Sequence, residues 1–236
     1  RSIPKIADDR CNDLTGTLSI GIIPTLSQYV LPLYLSEFLN RHPGLHLQIS
    51  EKQSSDIIRD IKTFRLDCGI LALPVGREGL VEDILFNEEF LAYMPPGKVV
   101  DEIVSIARLD LSEMLLLTEG HCLRDQIVEI CGSPERKLES RLELETGSLE
   151  SLKKLVDQGL GFTLLPELST VGLTKEQMER VKFLGPIPPS RQIGIVYHPA
   201  YSRPALLKEM SASIIERLPD KVKKNNSRFS VPWKKI

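Results

Sequence analysis

Two cysteines nine positions apart, Cys122 and Cys131, are the residues of this chain whose type and spacing could support a reaction. A thiolate is a nucleophile, whereas a protonated thiol largely is not. His121 and Arg124 flank Cys122, and a helix is predicted to start there, so three influences favour its ionised form. Asp125 adds a carboxylate to the same segment. We interpret this segment as a site of thiol chemistry.

The residues between the two cysteines predict a helix. Apolar residues at 123, 127 and 130 have helical spacing, and Gly132 and Pro134 end the pattern. Nine residues of helix rise about 13.5 Å, whereas the Cα atoms of a disulfide lie within roughly 7 Å. If the two cysteines ever pair, the helix between them must come apart.

A simpler interpretation stays open for each cysteine. Free cysteine is among the most buried residue types, so Cys122 and Cys131 could be unrelated core residues. The polar residues 118–120 argue against burial of Cys122, whereas Cys131 ends an apolar face. Cys68 lies in the middle of a predicted strand, which indicates a buried structural thiol.

The elements that must position this segment alternate between strands and helices. Apolar patterns predict strands at 17–23, 45–50 and 67–73, separated by helices at 30–39 and 57–64. This βαβαβ order is typical of a parallel sheet with right-handed crossovers. A second unit begins near residue 90. Its predicted strands are 114–117, 141–145, 159–166 and 193–199, and the predicted helices are 123–130, 148–158 and a final one at 204–217.

Hydroxyl side chains stand after two strands of the first unit. Thr25 and Ser27 follow the first strand, and Ser54 follows the second. In α/β proteins, ligands bind where the carboxyl ends of strands meet the N-termini of helices. These hydroxyls could therefore cap helices, bind a ligand, or do both, and the Cys122 loop is predicted to lie at the same edge.

The bulk composition excludes several classes of protein. The 236 residues are 42% hydrophobic, and a net charge of -2 argues against nucleic-acid binding by this part of the protein. No apolar run reaches the roughly 20 residues of a membrane helix, and no signal-peptide pattern is present, so we expect a soluble protein. Four cysteines without a dense framework are typical of a reducing compartment, here the cytoplasm. Because the chain begins with Arg1, we expect a fragment or a processed product.

Over residues 17–217, the chain resembles the effector-binding domain of LysR-type transcriptional regulators. The resemblance depends on segments 21–25, 66–71 and 159–166 and on Leu31-Pro32. It implies an α/β fold of two Rossmann-like lobes of the periplasmic-binding-protein type. The predicted division is a linker at 1–15, a first lobe at 16–91 plus 197–218, a second lobe at 92–196, and a basic flexible tail at 219–236.

Within that family, segment 119–126 followed by Cys131 is similar to the members that sense hydrogen peroxide. The resemblance implies that Cys122 is the peroxidatic cysteine, which peroxide oxidises to a sulfenic acid, and that Cys131 is the resolving cysteine that forms a disulfide with it. Refolding of the intervening helix would then change how two domains pack and switch transcription of antioxidant genes.

The same resemblance implies a set of residues around the peroxide. Thr25 matches a threonine that holds peroxide near the sulfur, and Ser54 stands where the family typically has a second threonine. Ser50 stands where some members have histidine, so any role for that ring is lost. The other implied site residues are His121, Arg124, Asp125 and Arg191.

The resemblance also implies the partners of the protein. These are hydrogen peroxide, a thiol reductant such as glutaredoxin or thioredoxin, and a second copy in a dimer, or a tetramer in the parent protein. DNA would be bound only by an N-terminal winged helix-turn-helix that these residues do not include. We expect no cofactor, no metal, no membrane contact and no enzymatic turnover.

Three alternatives compete with a peroxide-sensing domain. An ordinary small-solute-binding domain explains Thr25 and Ser27 but leaves the surroundings of Cys122 unexplained. A thiol peroxidase or a Cys/His hydrolase would need sustained turnover, and a hydrolase would need a base that His121, adjacent in sequence, is poorly placed to supply. A zinc site would need paired short ligand spacings that His121, Cys122 and Cys131 lack.

Overall fold

The computed structural model describes residues 14–76, 79–132, 147–223 and 231. Cys11, most of the predicted linker and the predicted strand at 141–145 lie outside the described residues. The described chain forms two lobes, each built around its own cluster of buried apolar side chains. The prediction of a two-lobed α/β fold is confirmed.

The first lobe begins with the predicted βαβαβ unit. Its elements are β1 (Gly16–Ile22), α1 (Pro24–Arg41), β2 (Leu45–Glu51), α2 (Ser54–Lys62) and β3 (Cys68–Leu73). Strand β1 pairs in parallel with both β2 and β3, as the alternation predicts. All six residues of β3 are buried, because helices cover both faces of the central strands.

The second lobe contains smaller elements. They are β5 (Ile103–Val104), α3 (Cys122–Ile130), α4 (Leu149–Asp157), β6 (Thr163–Pro166), α5 (Lys175–Glu179) and β7 (Val181–Leu184). The prediction of a strand at 114–117 is wrong. A short 3-10 helix, Leu111–Glu113, stands before it, and Met114 makes only an isolated parallel bridge to Phe162.

Two strands connect the lobes. Strand β4 (Val81–Tyr93) contributes Phe86 to the first core and Phe90 to the second. Strand β8 (Ser190–Tyr197) runs antiparallel between β3 and β4. The sheet order is therefore β2-β1-β3-β8-β4-β7-β5, with β6 also paired to β4.

The chain returns from the second lobe to the first at an earlier residue than the sequence predicts. The predicted boundary at residue 197 would place β8 in the second lobe, but Ile193, Ile195 and Val196 pack in the first core. Pairing with β3 along the whole strand requires this placement. Helix α6 (Pro204–Arg217) then closes the first lobe with the bounds that the sequence predicts.

The prediction of a flexible tail at 219–236 is wrong for the C-terminal residues that the structure describes. Asp220–Lys223 form a short helix, α7, whose Val222 is buried in the first core. Val231 is 2% exposed, and its amide donates to the Ser190 carbonyl. The Val231 carbonyl accepts a bond of 2.9 Å from the Gln126 side chain on α3. The described parts of this segment are therefore docked on the fold.

None of the helices in the described part of the chain is long and apolar enough to cross a membrane. The same residues contain no group of three or more His, Cys, Asp or Glu side chains arranged to hold a metal ion.

A glycine in the turn before β6 tests the packing of the second lobe. Gly161 has φ +144°, and a Cβ there would lie 2.1 Å from the Glu113 carbonyl oxygen. Because backbone cannot move aside cheaply, Gly161→Ala should lower the free energy of unfolding by about 2 to 4 kcal/mol. Urea denaturation measures this loss. The matched control is Gly159→Ala, where φ is +82° and no atom lies within 4 Å of the new Cβ; an equal loss in both variants would contradict the packing argument.

Candidate functional site

Three helix N-termini meet at one pocket between the lobes. Thr25 lies in the first turn of α1, Ser54 begins α2, and Cys122 begins α3. The partial positive charge at each helix N-terminus favours an anion, such as a thiolate, at this point. The pocket is lined by Ile23, Pro24, Thr25, Gln53, Ser54, Gly120, His121 and Cys122.

Cys122 belongs to a helix of the second lobe, but its side chain packs in the first. The residue is 3% exposed and lies in the first core, whereas Leu123 and Ile127 of the same helix lie in the second. Gly120 turns the chain into this position with φ +90°. Helix α3 therefore crosses the junction with Cys122 at its leading end.

The pocket is nearly closed. A water-sized molecule does not fit between the lining groups without side-chain movement. Gln53 is exposed at the mouth, and its amide packs against Gly120. Access to the sulfur therefore depends on a small displacement of lining groups such as Gln53.

The hydroxyl of Ser54 is buried without a well-formed hydrogen bond to any described residue. The side chain is 2% exposed and close enough to Cys122 to favour its thiolate. A buried hydroxyl with unused bonding capacity is costly unless a ligand or solvent satisfies it. The Ser54 hydroxyl is thus available to a small polar molecule at the sulfur.

Arg191 on β8 contacts the pocket through Thr25, one of its lining residues. Its Nη1 donates to Thr25 Oγ1 at 3.3 Å, and its Nη2 lies 3.5 Å from the Thr25 carbonyl oxygen. The guanidinium is also bound to Glu88 on β4. Arg191 is therefore fixed with its charge directed toward the Thr25 side of the site.

The net environment of Cys122 corrects the expectation of a readily ionised thiol. Burial raises the pKa of Cys122 above its ordinary value, which is the largest effect. The charge of Arg191, the Ser54 hydroxyl and the Leu123 amide lower that pKa, while Asp125 raises it. In this pocket the Cys122 sulfur is therefore mainly a protonated thiol. Arg191 is the charged residue that most favours its thiolate form.

His121 does not supply the positive charge that its adjacency to Cys122 suggests. The imidazole is half-buried and packs against Gly147, and burial lowers its pKa despite the opposing effect of Asp125. At neutral pH the ring is therefore uncharged. It lines the pocket as a neutral hydrogen-bonding group.

Arg124 is directed away from the sulfur. Its Nη1 donates to the Leu117 carbonyl at 3.0 Å, and its Nη2 lies 3.7 Å from Glu119. Consecutive residues of a helix project in different directions, so closeness in sequence to Cys122 did not bring this guanidinium to the pocket. Arg124 stabilises the loop that leads into α3.

Cys131 stands at the other end of α3. It caps the helix, its amide donating to the Ile127 carbonyl, and its half-buried side chain packs against the second core. The intact helix separates the two cysteines by nine residues, or about 13.5 Å of rise. The structure therefore places Cys122 and Cys131 in different lobes and on opposite ends of one helix.

The sequence assigned no role to two residues that contribute to the site. Gln53 at the mouth had no distinguishing pattern. Glu88 did carry a signal, because strand periodicity puts it on the same face as Phe86 and Phe90. A charge on an apolar strand face requires a buried partner, and that partner is Arg191.

Comparison with known proteins identifies the family. The model of the LysR substrate binding domain matches residues 12–219. The chain belongs to this family. One curated relative is the probable hydrogen peroxide-inducible genes activator of Mycobacterium leprae (strain TN). It is 34% identical to this chain over 209 residues, which cover 86% of this chain and 66% of that protein. The chain thus spans about two thirds of the length of such relatives.

Solved structures show the same LysR architecture. OxyR from Porphyromonas gingivalis matches with a TM-score of 0.82 and 28% identity, covering 93% of this chain and all of that one. A cysteine mutant of OxyR from Corynebacterium glutamicum with H2O2 bound matches with a TM-score of 0.73 and 29% identity, covering 86% of this chain and 65% of that one. The family and the two-lobed fold are therefore shared with OxyR structures.

Removal of the Gln53 side chain should open the pocket. We expect Gln53→Ala to increase the rate at which iodoacetamide alkylates Cys122 several-fold, because the group that packs on Gly120 is gone. Peptide mass spectrometry measures the rate at Cys122. Gln48→Ala, an exposed glutamine on β2, is the control. Equal rates in wild type and Gln53→Ala would show that Gln53 does not limit access.

Proposed function

We propose that this chain is a peroxide-sensing regulatory domain of a LysR-type transcriptional regulator, with Cys122 as the sensing residue. The observation that carries the proposal is the placement of Thr25 and Ser54 around a buried cysteine, with Arg191 bonded to Thr25 and the Ser54 hydroxyl buried beside the sulfur. Hydrogen peroxide is small, uncharged and able both to donate and to accept hydrogen bonds. It suits a tight pocket of this composition.

The proposed first step is oxidation of Cys122. The thiolate sulfur attacks one oxygen of hydrogen peroxide, the O–O bond breaks, and the departing hydroxide takes a proton to become water. Hydroxyl groups of Thr25 and Ser54 orient the two oxygens, and the Arg191 charge stabilises both the thiolate and the departing hydroxide. The product is a sulfenic acid at Cys122.

The proposed second step joins the two cysteines. The Cys131 thiolate attacks the sulfenic sulfur, the S–O bond breaks, and the departing hydroxide takes a proton to become a second water. One peroxide thus removes two electrons from two thiols. Because intact α3 holds the cysteines at opposite ends, this step requires α3 to unfold locally. A dithiol protein such as glutaredoxin or thioredoxin would return two electrons and restore the helix.

The unfolding of α3 is the proposed signal. A nine-residue helix has little stability in isolation and depends on tertiary contacts. For α3 these are Leu123 and Ile127 in the second core, Cys122 in the first, and Gln126 bonded to Val231. A disulfide that withdraws Cys122 from the first core would change the surface at the lobe junction and the packing of one domain on another.

The role of the whole protein belongs to this proposal as well. The longer curated relatives include hydrogen peroxide-inducible genes activators and a DNA-binding regulator named OxyR from Escherichia coli (strain K12). By this likeness, a DNA-binding domain outside the matched region would read promoters in the cytoplasm, and these domains would associate as dimers or tetramers. The domain would react once per reduction cycle and would not turn over peroxide.

An ordinary solute-binding domain is less well supported. Tyr29 of α1 packs against both cores and donates to Glu150 of α4 at 2.6 Å. Lys153 of α4 binds Glu150 and lies 5.4 Å from the Tyr29 ring centre. These contacts join the two lobes directly at the junction, where a larger solute would need open space.

Peptide mapping after exposure to one equivalent of hydrogen peroxide tests the proposal. We expect a Cys122–Cys131 disulfide in the native chain. In Cys131→Ser, we expect a sulfenic acid at Cys122 that dimedone traps. Cys68→Ser is the control, because Cys68 is fully buried in β3, where burial raises its pKa strongly. Unchanged thiols at Cys122 in the native chain and in Cys131→Ser would refute the proposed function.

A further inference from the structure

A buried ion pair occupies the point where both connecting strands cross between the lobes. Glu88 and Arg191 are direct partners in the antiparallel register of β4 and β8. Glu88 lies between Phe86, which packs in the first core, and Phe90, which packs in the second. Glu88 is 0% exposed and Arg191 is 1% exposed. A charge pair this deep is stable only when both members are well bonded.

Both carboxylate oxygens of Glu88 accept hydrogen bonds from other parts of the chain. One carboxylate oxygen accepts from Arg191 Nε at 2.9 Å and lies 2.8 Å from Nη2. The other accepts from the Leu168 backbone amide at 2.9 Å. The carboxylate is therefore fixed by both strands and by the segment after β6, and it fixes the guanidinium in turn.

The free end of that guanidinium contacts a residue that lines the Cys122 pocket. Arg191 Nη1 donates to the Thr25 hydroxyl, and Thr25 lines the pocket with Cys122. Contacts thus run from Glu88 through Arg191 to Thr25, which lines the same pocket as Cys122. Glu88 itself does not line the pocket. The contacts therefore connect Glu88 to the site through Arg191.

We propose that Glu88 is a positioning residue for the thiol chemistry of Cys122: it holds the Arg191 guanidinium against Thr25 beside the pocket and sets how strongly that charge acts on the sulfur. The inference rests on the proposed function only in taking Cys122 as the reacting group. The carboxylate has two opposing effects. It aims the positive charge at the site, and it neutralises part of that charge. Two substitutions of Glu88 separate these effects: Glu88→Gln preserves the shape of the side chain, and Glu88→Asp preserves its charge.

Glu88→Gln removes the negative charge and keeps an oxygen that can accept from Arg191. The full charge of Arg191 then acts on Cys122 and lowers the pKa of its thiol. A fall of one pKa unit gives about tenfold more thiolate, and weaker intrinsic nucleophilicity leaves about a threefold faster reaction at pH 7. Glu88→Asp keeps the charge but shortens the side chain, so the guanidinium is drawn away from Thr25 and the reaction becomes slower.

The experiment measures the alkylation rate of Cys122 by iodoacetamide from pH 6 to 10, using the full chain and peptide mass spectrometry. The variants are Glu88→Gln, Glu88→Asp, Arg191→Met and the double variant Glu88→Gln/Arg191→Met. Asp157→Asn is the control, because it also removes a carboxylate from an ion pair with an arginine, the partly buried Arg180, but lies outside the pocket. A purely structural role would lower thermal stability in all of these without moving the pH profile.

We expect Glu88→Gln to shift the profile to lower pH with about a threefold rate increase at pH 7, and to have no effect in the Arg191→Met background. A profile unchanged from wild type, or a shift that persists without Arg191, would overturn the proposal. If Glu88→Gln does not fold, Glu88→Asp decides: slower alkylation supports the proposal and a wild-type rate overturns it.

Peroxide treatment of the same samples separates this inference from the proposed function. If Cys122 of the wild type resists peroxide while its alkylation still depends on Glu88 through Arg191, the sensing function fails and the positioning role stands. If the wild type forms the disulfide but the alkylation profile does not change in the Glu88 variants, the sensing function stands and the positioning role fails.

Discussion

The burial of the Cys122 side chain in the core of one lobe, at the end of a helix that packs in the other, is the constraint on which the rest of the site depends. Cys122 joins the first core while Leu123 and Ile127 of the same helix join the second. The helix therefore bridges the junction through its first residue. Chemical change at that sulfur acts on a contact between lobes, which explains how an event on one atom can alter the shape of the domain.

The same burial controls reactivity. Removal from water raises the pKa of Cys122, and the two largest opposing influences come from distant parts of the chain: Arg191 on β8 and Ser54 at the start of α2. Thr25 and Glu88 hold Arg191 in place from opposite sides. A nearly closed pocket with a restrained thiolate fraction suits a group that must discriminate a small oxidant from other electrophiles.

Local pattern was enough for much of the fold and for only part of the site. The βαβαβ unit, α3 and α6 follow from apolar periodicity and turn residues. The lobe membership of β8 does not, because the alternation of Ile193, Gly194 and Ile195 predicts a strand without naming its neighbours. The site shows the same limit. Adjacency in sequence pointed to Arg124 as the activating cation, whereas cross-strand pairing with Glu88 delivers Arg191.

The sensing mechanism requires that the Cys122–Cys131 disulfide and an intact α3 exclude each other. Hydrogen–deuterium exchange of the reduced and the peroxide-oxidised chain measures this directly. The amides of 124–131, held by helical bonds such as that of Cys131 to Ile127, should lose protection on oxidation, while those of β3 keep it. A chain that contains the disulfide and still protects 124–131 would contradict the account.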